Sequence, residues 1–94
     1  MNKTNIKFKI PVSFLKEDKQ FIAYSPVLDL STSGKTFIEA RSRFIEIVNI
    51  FFEEIIKKGT LNEVLTDLGW KQVKKEWTSP VLISEESQTV SVSV

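Results

Sequence analysis

The chain lacks cysteine and histidine altogether, and it has only three glycines and three prolines in 94 residues. Without cysteine there is neither a disulfide framework nor a thiol nucleophile. Without histidine there is no serine–histidine triad, and the two absences together exclude ordinary zinc sites. With the incomplete phosphate-binding motif and the missing carboxylate cluster described below, these absences lead us to expect a protein that is not an enzyme and has no catalytic residues, no metal, no cofactor and no small-molecule substrate.

The chain also lacks a large excess of positive or negative residues, and it has no long apolar run. Lys and Arg number 13 and Asp and Glu number 12, so the net charge of +1 gives no general attraction to nucleic acid or anionic membranes. No apolar run approaches the roughly 20 residues that cross a bilayer, and Lys7 and Lys9 interrupt the N-terminal apolar segment. We expect no signal peptide, no membrane segment and a cytoplasmic location. The length predicts one domain over 1–94, with a core over 5–77 and a strand-like extension over 78–94.

The first third of the chain has three strand patterns. Residues 5–15 alternate apolar and polar side chains, which predicts a half-buried strand, and a polar turn over 16–20 follows. A second strand is predicted over 21–25, where Ser25-Pro26 ends it, and a third over 28–33, where Gly34 ends it. Three strands joined by short loops most simply form an antiparallel meander.

Two helices are predicted next. Thr36 and Glu39 form a capping-box pattern that opens a long helix, and Gly59 ends it. Thr60 and Glu63 repeat the pattern and predict a short helix that ends at Gly69. The buried face of the long helix is predicted from residues that recur every three or four positions: Phe37, Ala40, Phe44, Ile47, Val48, Phe51 and Ile55.

Strand patterns return in the C-terminal part. We predict a fourth strand over Trp70–Trp77 with Trp70, Val73 and Trp77 as anchors, a short apolar segment over 81–83 and a terminal strand over 89–94. The predicted class is α+β, an antiparallel three- to four-stranded sheet with one long helix packed on one face, in the order β-β-β-α-β. A short helix and C-terminal strand segments complete it.

A second apolar stripe on the long helix lies about 100° around from the first, and one sheet does not easily cover both. Either the short helix and the C-terminal segment cover it within the chain, or it is a protein interface, since large exposed apolar patches mark contact sites. The terminal strand likewise pairs either with its own sheet or with a neighbouring molecule. The candidate partner-binding residues are therefore Ile38, Ile45, Phe52, Ile56, Val90 and Val92.

Two further motifs favour structural interpretations. Ser33-Gly34-Lys35-Thr36 resembles the end of a phosphate-binding loop, but the full motif needs a glycine five positions before Gly34, where Asp29 stands. Helix capping is the preferred interpretation. The basic cluster Lys71, Lys74 and Lys75 lies between two tryptophans, a combination that binds single-stranded nucleic acid in some proteins. Tryptophans at this spacing are more often core or interface anchors.

The segment 24–40 resembles the N-terminal domain of HicB antitoxins. The resemblance is carried by Tyr24, Pro26, Asp29-Leu30, the turn from Gly34 to Thr36, and Glu39-Ala40. The family's Pro-Gly pair after Asp-Leu is replaced here by Ser31-Thr32, and Val27-Leu28 lengthens the preceding loop. The resemblance covers about residues 6–58 and implies a partial ribonuclease H-like fold. Ribonuclease chemistry is not expected, because the first predicted strand has no acidic residue for a two-metal site.

The resemblance also implies a role. HicB antitoxins bind and neutralise small HicA ribonuclease toxins, so a HicA-like toxin is the expected partner. Many also carry a ribbon-helix-helix or helix-turn-helix domain that binds DNA, but no such segment follows the long helix here, so DNA binding is not expected. The alternative is a stand-alone homo-oligomeric structural or regulatory module with no toxin partner, which the second apolar stripe and the valine-rich terminus also fit.

Overall fold

The computed structural model describes residues 7–94 of the chain. A three-stranded antiparallel sheet in the order β1-β2-β3 carries one long helix on one face, and a separate two-stranded hairpin follows a short helix. The predicted α+β class, with its meander and long helix, is confirmed. The elements are β1 Ser13–Glu17, β2 Gln20–Ser25, β3 Leu30–Gly34, α1 Phe37–Lys57, α2 Leu61–Asp67, β4 Lys71–Val73 and β5 Glu76–Thr78.

The first strand is shorter than predicted. In the β1–β2 register Ser13 lies opposite Tyr24, so residue 12 would face Ser25, the last residue of β2 before Pro26. Residues 7–11 would face positions from Pro26 onward, beyond the end of β2, and β1 begins only at Ser13. We call residues 7–12 the N-terminal overhang. The strand prediction is wrong over 7–12, and residues 5 and 6 lie outside the described residues. Proline limits the length of β2, and the length of β2 limits β1.

The predicted second and third strands are present with shifted ends. β3 begins at Leu30 rather than at residue 28, because Val27 and Leu28 belong to the β2–β3 connection and bury their side chains in the core. Asp29 has a φ of 51°, a left-handed conformation that aspartate tolerates in turns. It accepts a long hydrogen bond of 3.4 Å from the Tyr24 hydroxyl. Asp29 is thus a turn residue.

The long helix begins and ends at the predicted residues. The Thr36 hydroxyl accepts a hydrogen bond of 3.0 Å from the backbone N–H of Glu39. The Glu39 carboxylate lies 2.9 Å from the guanidinium of Arg43. At the other end Gly59 has a φ of 71° and closes a Schellman motif, in which the N–H groups of Gly59 and Thr60 donate to carbonyls of the last helical turn.

The start of α1 packs tightly on the edge of the sheet. A Cβ atom added to Gly34, the last residue of β3, would lie 2.6 Å from the backbone nitrogen of Ala40. One turn further along α1, the Arg43 guanidinium donates a hydrogen bond of 3.0 Å to the Ser33 carbonyl. The absence of a side chain at Gly34 therefore sets the distance between sheet and helix.

The second capping box is not formed. Thr60 is already the last residue of the Schellman motif of α1, and its hydroxyl donates to the Ile55 carbonyl at 3.4 Å instead of accepting from the start of α2. The end of α2 is as predicted: Gly69 has a φ of 88°, and the N–H of Trp70 donates to the Leu65 carbonyl at 2.9 Å. A second Schellman motif thus sends Trp70 back over α2.

The predicted fourth strand is a hairpin. Among residues 7–94, β4 pairs with β5 alone, and the two turn residues Lys74 and Lys75 have φ values of 51° and 67°. Positive φ at both central residues is the pattern of the tight hairpin turn that matches strand twist. Of the predicted anchors, Trp70 is buried, Trp77 is half-buried and Val73 is exposed. The prediction of one strand over Trp70–Trp77 is therefore wrong, although the anchor Trp70 is confirmed.

Two apolar clusters hold the helices to the sheet. The larger unites the β2–β3 connection, α1, α2 and the start of the hairpin through Val27, Leu28, Phe52, Ile55, Leu65 and Trp70. The smaller joins the sheet to the first half of α1 through Ala23, Ala40 and Phe44. The indole N–H of Trp70 donates to the Val27 carbonyl at 2.8 Å, across 43 positions of sequence. This bond ties the start of the hairpin to the β2–β3 connection.

Residues 79–94 form neither helix nor strand, so the prediction of a terminal strand over 89–94 is wrong for the chain taken alone. Residues 79–85 follow the outer side of residues 9–14, where Ser13 donates a hydrogen bond of 2.8 Å to Glu85. The radius of gyration is 16.2 Å, against about 12 Å for a compact chain of this length. Residues 86–94, which we call the C-terminal tail, are exposed throughout.

Candidate protein-binding surface

Three isoleucines on α1 form an exposed apolar stripe. Ile38, Ile45 and Ile56 are 73%, 55% and 50% exposed. At about 100° per residue they lie within roughly 20° of one another around the helix, and the 18-residue span from Ile38 to Ile56 corresponds to about 27 Å. We call these three residues the isoleucine stripe. Exposed aliphatic side chains aligned on one side of a helix make this side a candidate for the surface that a partner covers.

Phe52, the fourth residue predicted for this stripe, belongs to the core instead. It is 8% exposed. Its ring stacks on Phe8 with centroids 4.3 Å apart and meets Trp70 edge-on at 6.5 Å. The overhang and the Trp70 segment thus cover the middle of the predicted stripe and leave its isoleucines exposed. The prediction of Phe52 as a partner-binding residue is wrong, because the sequence did not show that Phe8 and Trp70 converge on it.

The other two candidate residues lie in the C-terminal tail. Val90 and Val92 are 74% and 75% exposed, and neither belongs to the two apolar clusters. The structure does not bring them into a common site with the isoleucine stripe. They remain a separate apolar segment with a two-residue repeat.

An apolar groove adjoins the stripe, and sequence reasoning missed it. It has a volume of about 500 Å³ and runs between residues 8–14 and the first half of α1. Eight of its ten lining residues are apolar: Phe8, Ile10, Val12, Phe14, Phe37, Phe44, Ile45 and Val48, with Arg41 and Asn49 as the polar members. Its size is that of a ligand or peptide site. The signal for it was the alternation over 8–14, which points every second side chain at the helix.

Arg41 supplies the charge at this groove. Its side chain is exposed on the face of α1 that lines the groove. The ion pairs of residues 7–94 join Arg43 to Glu39 and Lys58 to Glu54, and neither involves Arg41. An acidic group entering beside the apolar lining would therefore meet an unpaired guanidinium.

The residues that resemble a phosphate-binding loop or a nucleic-acid-binding cluster have structural roles here. In the Gly34-Lys35-Thr36 turn, the threonine hydroxyl caps α1 and the glycine lies against the helix backbone. Lys74 and Lys75 form the hairpin turn, and the neighbouring Trp70 ring is buried where a base could not stack on it. Within residues 7–94, no three acidic side chains come together as a metal site.

Neither described helix is long and apolar enough to cross a membrane. Comparison of the chain with protein-family models, with curated proteins and with solved structures gave no match.

Proposed function

We propose that this chain is a HicB-like antitoxin, or an interaction module derived from one, that binds a small HicA-like ribonuclease toxin in the cytoplasm and blocks it. The observation that carries the proposal is the isoleucine stripe, three exposed isoleucines aligned over about 27 Å of a well-capped helix. Blocking an enzyme requires only that a surface covers the substrate path. The absence of histidine and cysteine is compatible with this role.

The residues that resemble HicB antitoxins position α1 on the sheet and do not themselves form the isoleucine stripe. Asp29 lies in the β2–β3 turn, Gly34 admits α1 close to the sheet and Thr36 caps the helix. These residues fix where α1 lies on the sheet. In this proposal the turn and capping residues of the motif position the helix, and the isoleucines Ile38 and Ile56, which the motif does not include, contact the toxin.

The proposal predicts which positions a toxin contacts. A stable interface buries about 800 Å² on each partner, and a few central apolar residues supply most of the affinity. Replacing Ile38 or Ile56 by glutamate places a charge in the buried centre, and we expect the affinity for the toxin to fall at least about tenfold. Both side chains are half-exposed or more, so the fold should persist.

The experiment is co-expression with any small basic ribonuclease encoded beside this gene. The expected result is a complex that co-purifies and restores growth, which Ile38→Glu and Ile56→Glu weaken. Ile50→Glu is the matched control, because Ile50 is 58% exposed on the same helix but faces about 120° away from the stripe. Failure of the unaltered chain to bind or to rescue growth would refute the antitoxin function, and equal losses in all three variants would refute the assignment of the surface.

A second candidate function is a homo-oligomeric structural or regulatory module without a toxin. The observation that favours it is the exposed C-terminal tail with its alternating valines. Light scattering of the purified chain tests it, and a monomer at millimolar concentration would exclude it.

A further inference from the structure

The groove between residues 8–14 and α1 is open in the single molecule over residues 7–94. Its apolar wall repeats every two residues through Phe8, Ile10, Val12 and Phe14. Fully extended, that wall measures about 20 Å. An occupant that presents apolar side chains at the same two-residue interval would match it best.

The C-terminal tail has that pattern. Val90, Val92 and Val94 alternate with serine and are all exposed, and the six residues 89–94 extend to about 17 Å. An acidic residue, Glu86, precedes the valines. The groove has its cationic residue, Arg41, one helical turn from Phe37, and the Phe37 ring lies 4.7 Å from Phe14.

These positions define a direction. With Glu86 beside Arg41 at the Phe14 end, the tail would extend toward Phe8, and the four residues from Glu86 to Val90 would span about 13 Å. Val90 and Val92 would then meet the part of the apolar wall that Ile10 and Phe8 form. The tail therefore agrees with the groove in its two-residue spacing and in the position of its charge.

The tail leaves its own molecule on the wrong side for this groove. Glu85 is held by Ser13, and in β1 the side chains of Ser13 and Phe14 point to opposite faces of the sheet. The groove lies on the Phe14 face, whereas the tail begins on the Ser13 face. Residues 79–85 also run in the same direction as residues 9–14, so the tail leads away from the overhang.

We propose that the C-terminal tail of one molecule binds the apolar groove of a second copy of this chain, so that two copies exchange tails in a symmetric dimer. In a pair related by two-fold symmetry each copy donates one tail and accepts one, so neither a tail nor a groove is left free. The inference does not depend on a toxin, since it concerns the purified chain alone.

The first test compares oligomeric states by light scattering over a range of concentrations. We expect the unaltered chain to form a dimer, and Val90→Glu with Val92→Glu to raise the dimer dissociation constant at least about tenfold. Ser91→Glu with Ser93→Glu is the matched control, with the same added charge on the other side of the tail, and it should leave the dimer intact. A monomeric unaltered chain, or a dimer that the valine variants do not weaken, would overturn the proposal.

The second test reverses the charges. Arg41→Glu alone and Glu86→Arg alone should each weaken the dimer about threefold or more, and the two together should restore most of the loss. Additive losses in the combined variant would show that Glu86 and Arg41 do not meet. That result would overturn the direction assigned to the tail.

The third test distinguishes a tail bound to the second molecule from a tail that folds back into the groove of its own molecule. Because the chain has no cysteine, Ile45→Cys and Val90→Cys can be placed in separate molecules and mixed under mild oxidation. A mixed disulfide between the two proteins is expected, and Ser91→Cys with Ile45→Cys is the control that should give much less. With both cysteines in one molecule, a disulfide within the monomer would place the tail in its own groove and overturn exchange.

Discussion

Replacing Trp70 by phenylalanine tests the contact that joins the most distant parts of the chain. Trp70 is 3% exposed, and its indole N–H is hydrogen-bonded to the Val27 carbonyl at 2.8 Å. The substitution leaves that buried carbonyl without a partner, which costs about 1–3 kcal/mol. The smaller ring also buries less apolar surface, about 1 kcal/mol more. We expect a loss of about 2–4 kcal/mol from a total of about 5–14 kcal/mol for a chain of this size.

The measurement is urea unfolding followed by far-ultraviolet circular dichroism, because the substitution removes one of the two fluorescent tryptophans. The midpoint should fall while the slope with denaturant stays constant, as it does when only the folded state is weakened. Trp77→Phe is the matched control. Trp77 is half-buried and its indole N–H has no partner within residues 7–94, so we expect a loss below about 1 kcal/mol. If the two substitutions differ by less than about 0.5 kcal/mol, the assigned role of the Trp70–Val27 bond is wrong.

Three further predictions concern backbone chemistry and use the same unfolding measurement. Thr36→Ala should lower the free energy of unfolding by about 1 kcal/mol, because it removes the cap of α1. Thr60→Ala, in the same sequence pattern, should lower it by less than about half of that. Similar losses in the two variants would contradict the capping assignment. Gly34→Ala should cost about 2 kcal/mol or more, since its Cβ would meet the helix backbone, and a neutral result would show that sheet and helix are further apart. Lys74→Asn with Lys75→Gly should stabilise the hairpin by about 1 kcal/mol by relieving two positive φ angles, and a loss of stability would argue against that turn.

The sequence was sufficient where structure is local. The start of α1 depends on one side chain and a backbone N–H three residues away, and its end depends on the conformation of Gly59. Both were predicted correctly. Thr60 shows the limit of the same rule, because a residue that already completes one helix end is not oriented to cap the next. The motif was present, but the preceding turn determined its conformation.

The sequence-based predictions were wrong where the structure of one segment depends on the position of another. The alternation over 7–12 is real, and its apolar members line the groove, but pairing required a partner strand that Pro26 had already ended. The Lys74-Lys75 turn has no glycine or asparagine to mark it, so the hairpin was read as one strand. In the candidate site, Phe52 and Ile45 have the same character in sequence, and only the positions of Phe8 and Trp70 distinguish buried from exposed.

The contact between Arg43 and the Ser33 carbonyl affects how this protein associates. β3 is an outer strand, and an outer strand offers its backbone groups to any other strand that approaches. Here the guanidinium of the protein's own helix already binds one of those groups. At the other margin of the sheet, residues 82–85 lie beside Ser13 and Phe14, the first two residues of β1. Each margin is thus partly covered, which disfavours open-ended stacking of sheets into fibres and favours side-chain contacts through α1 as the route to a defined assembly.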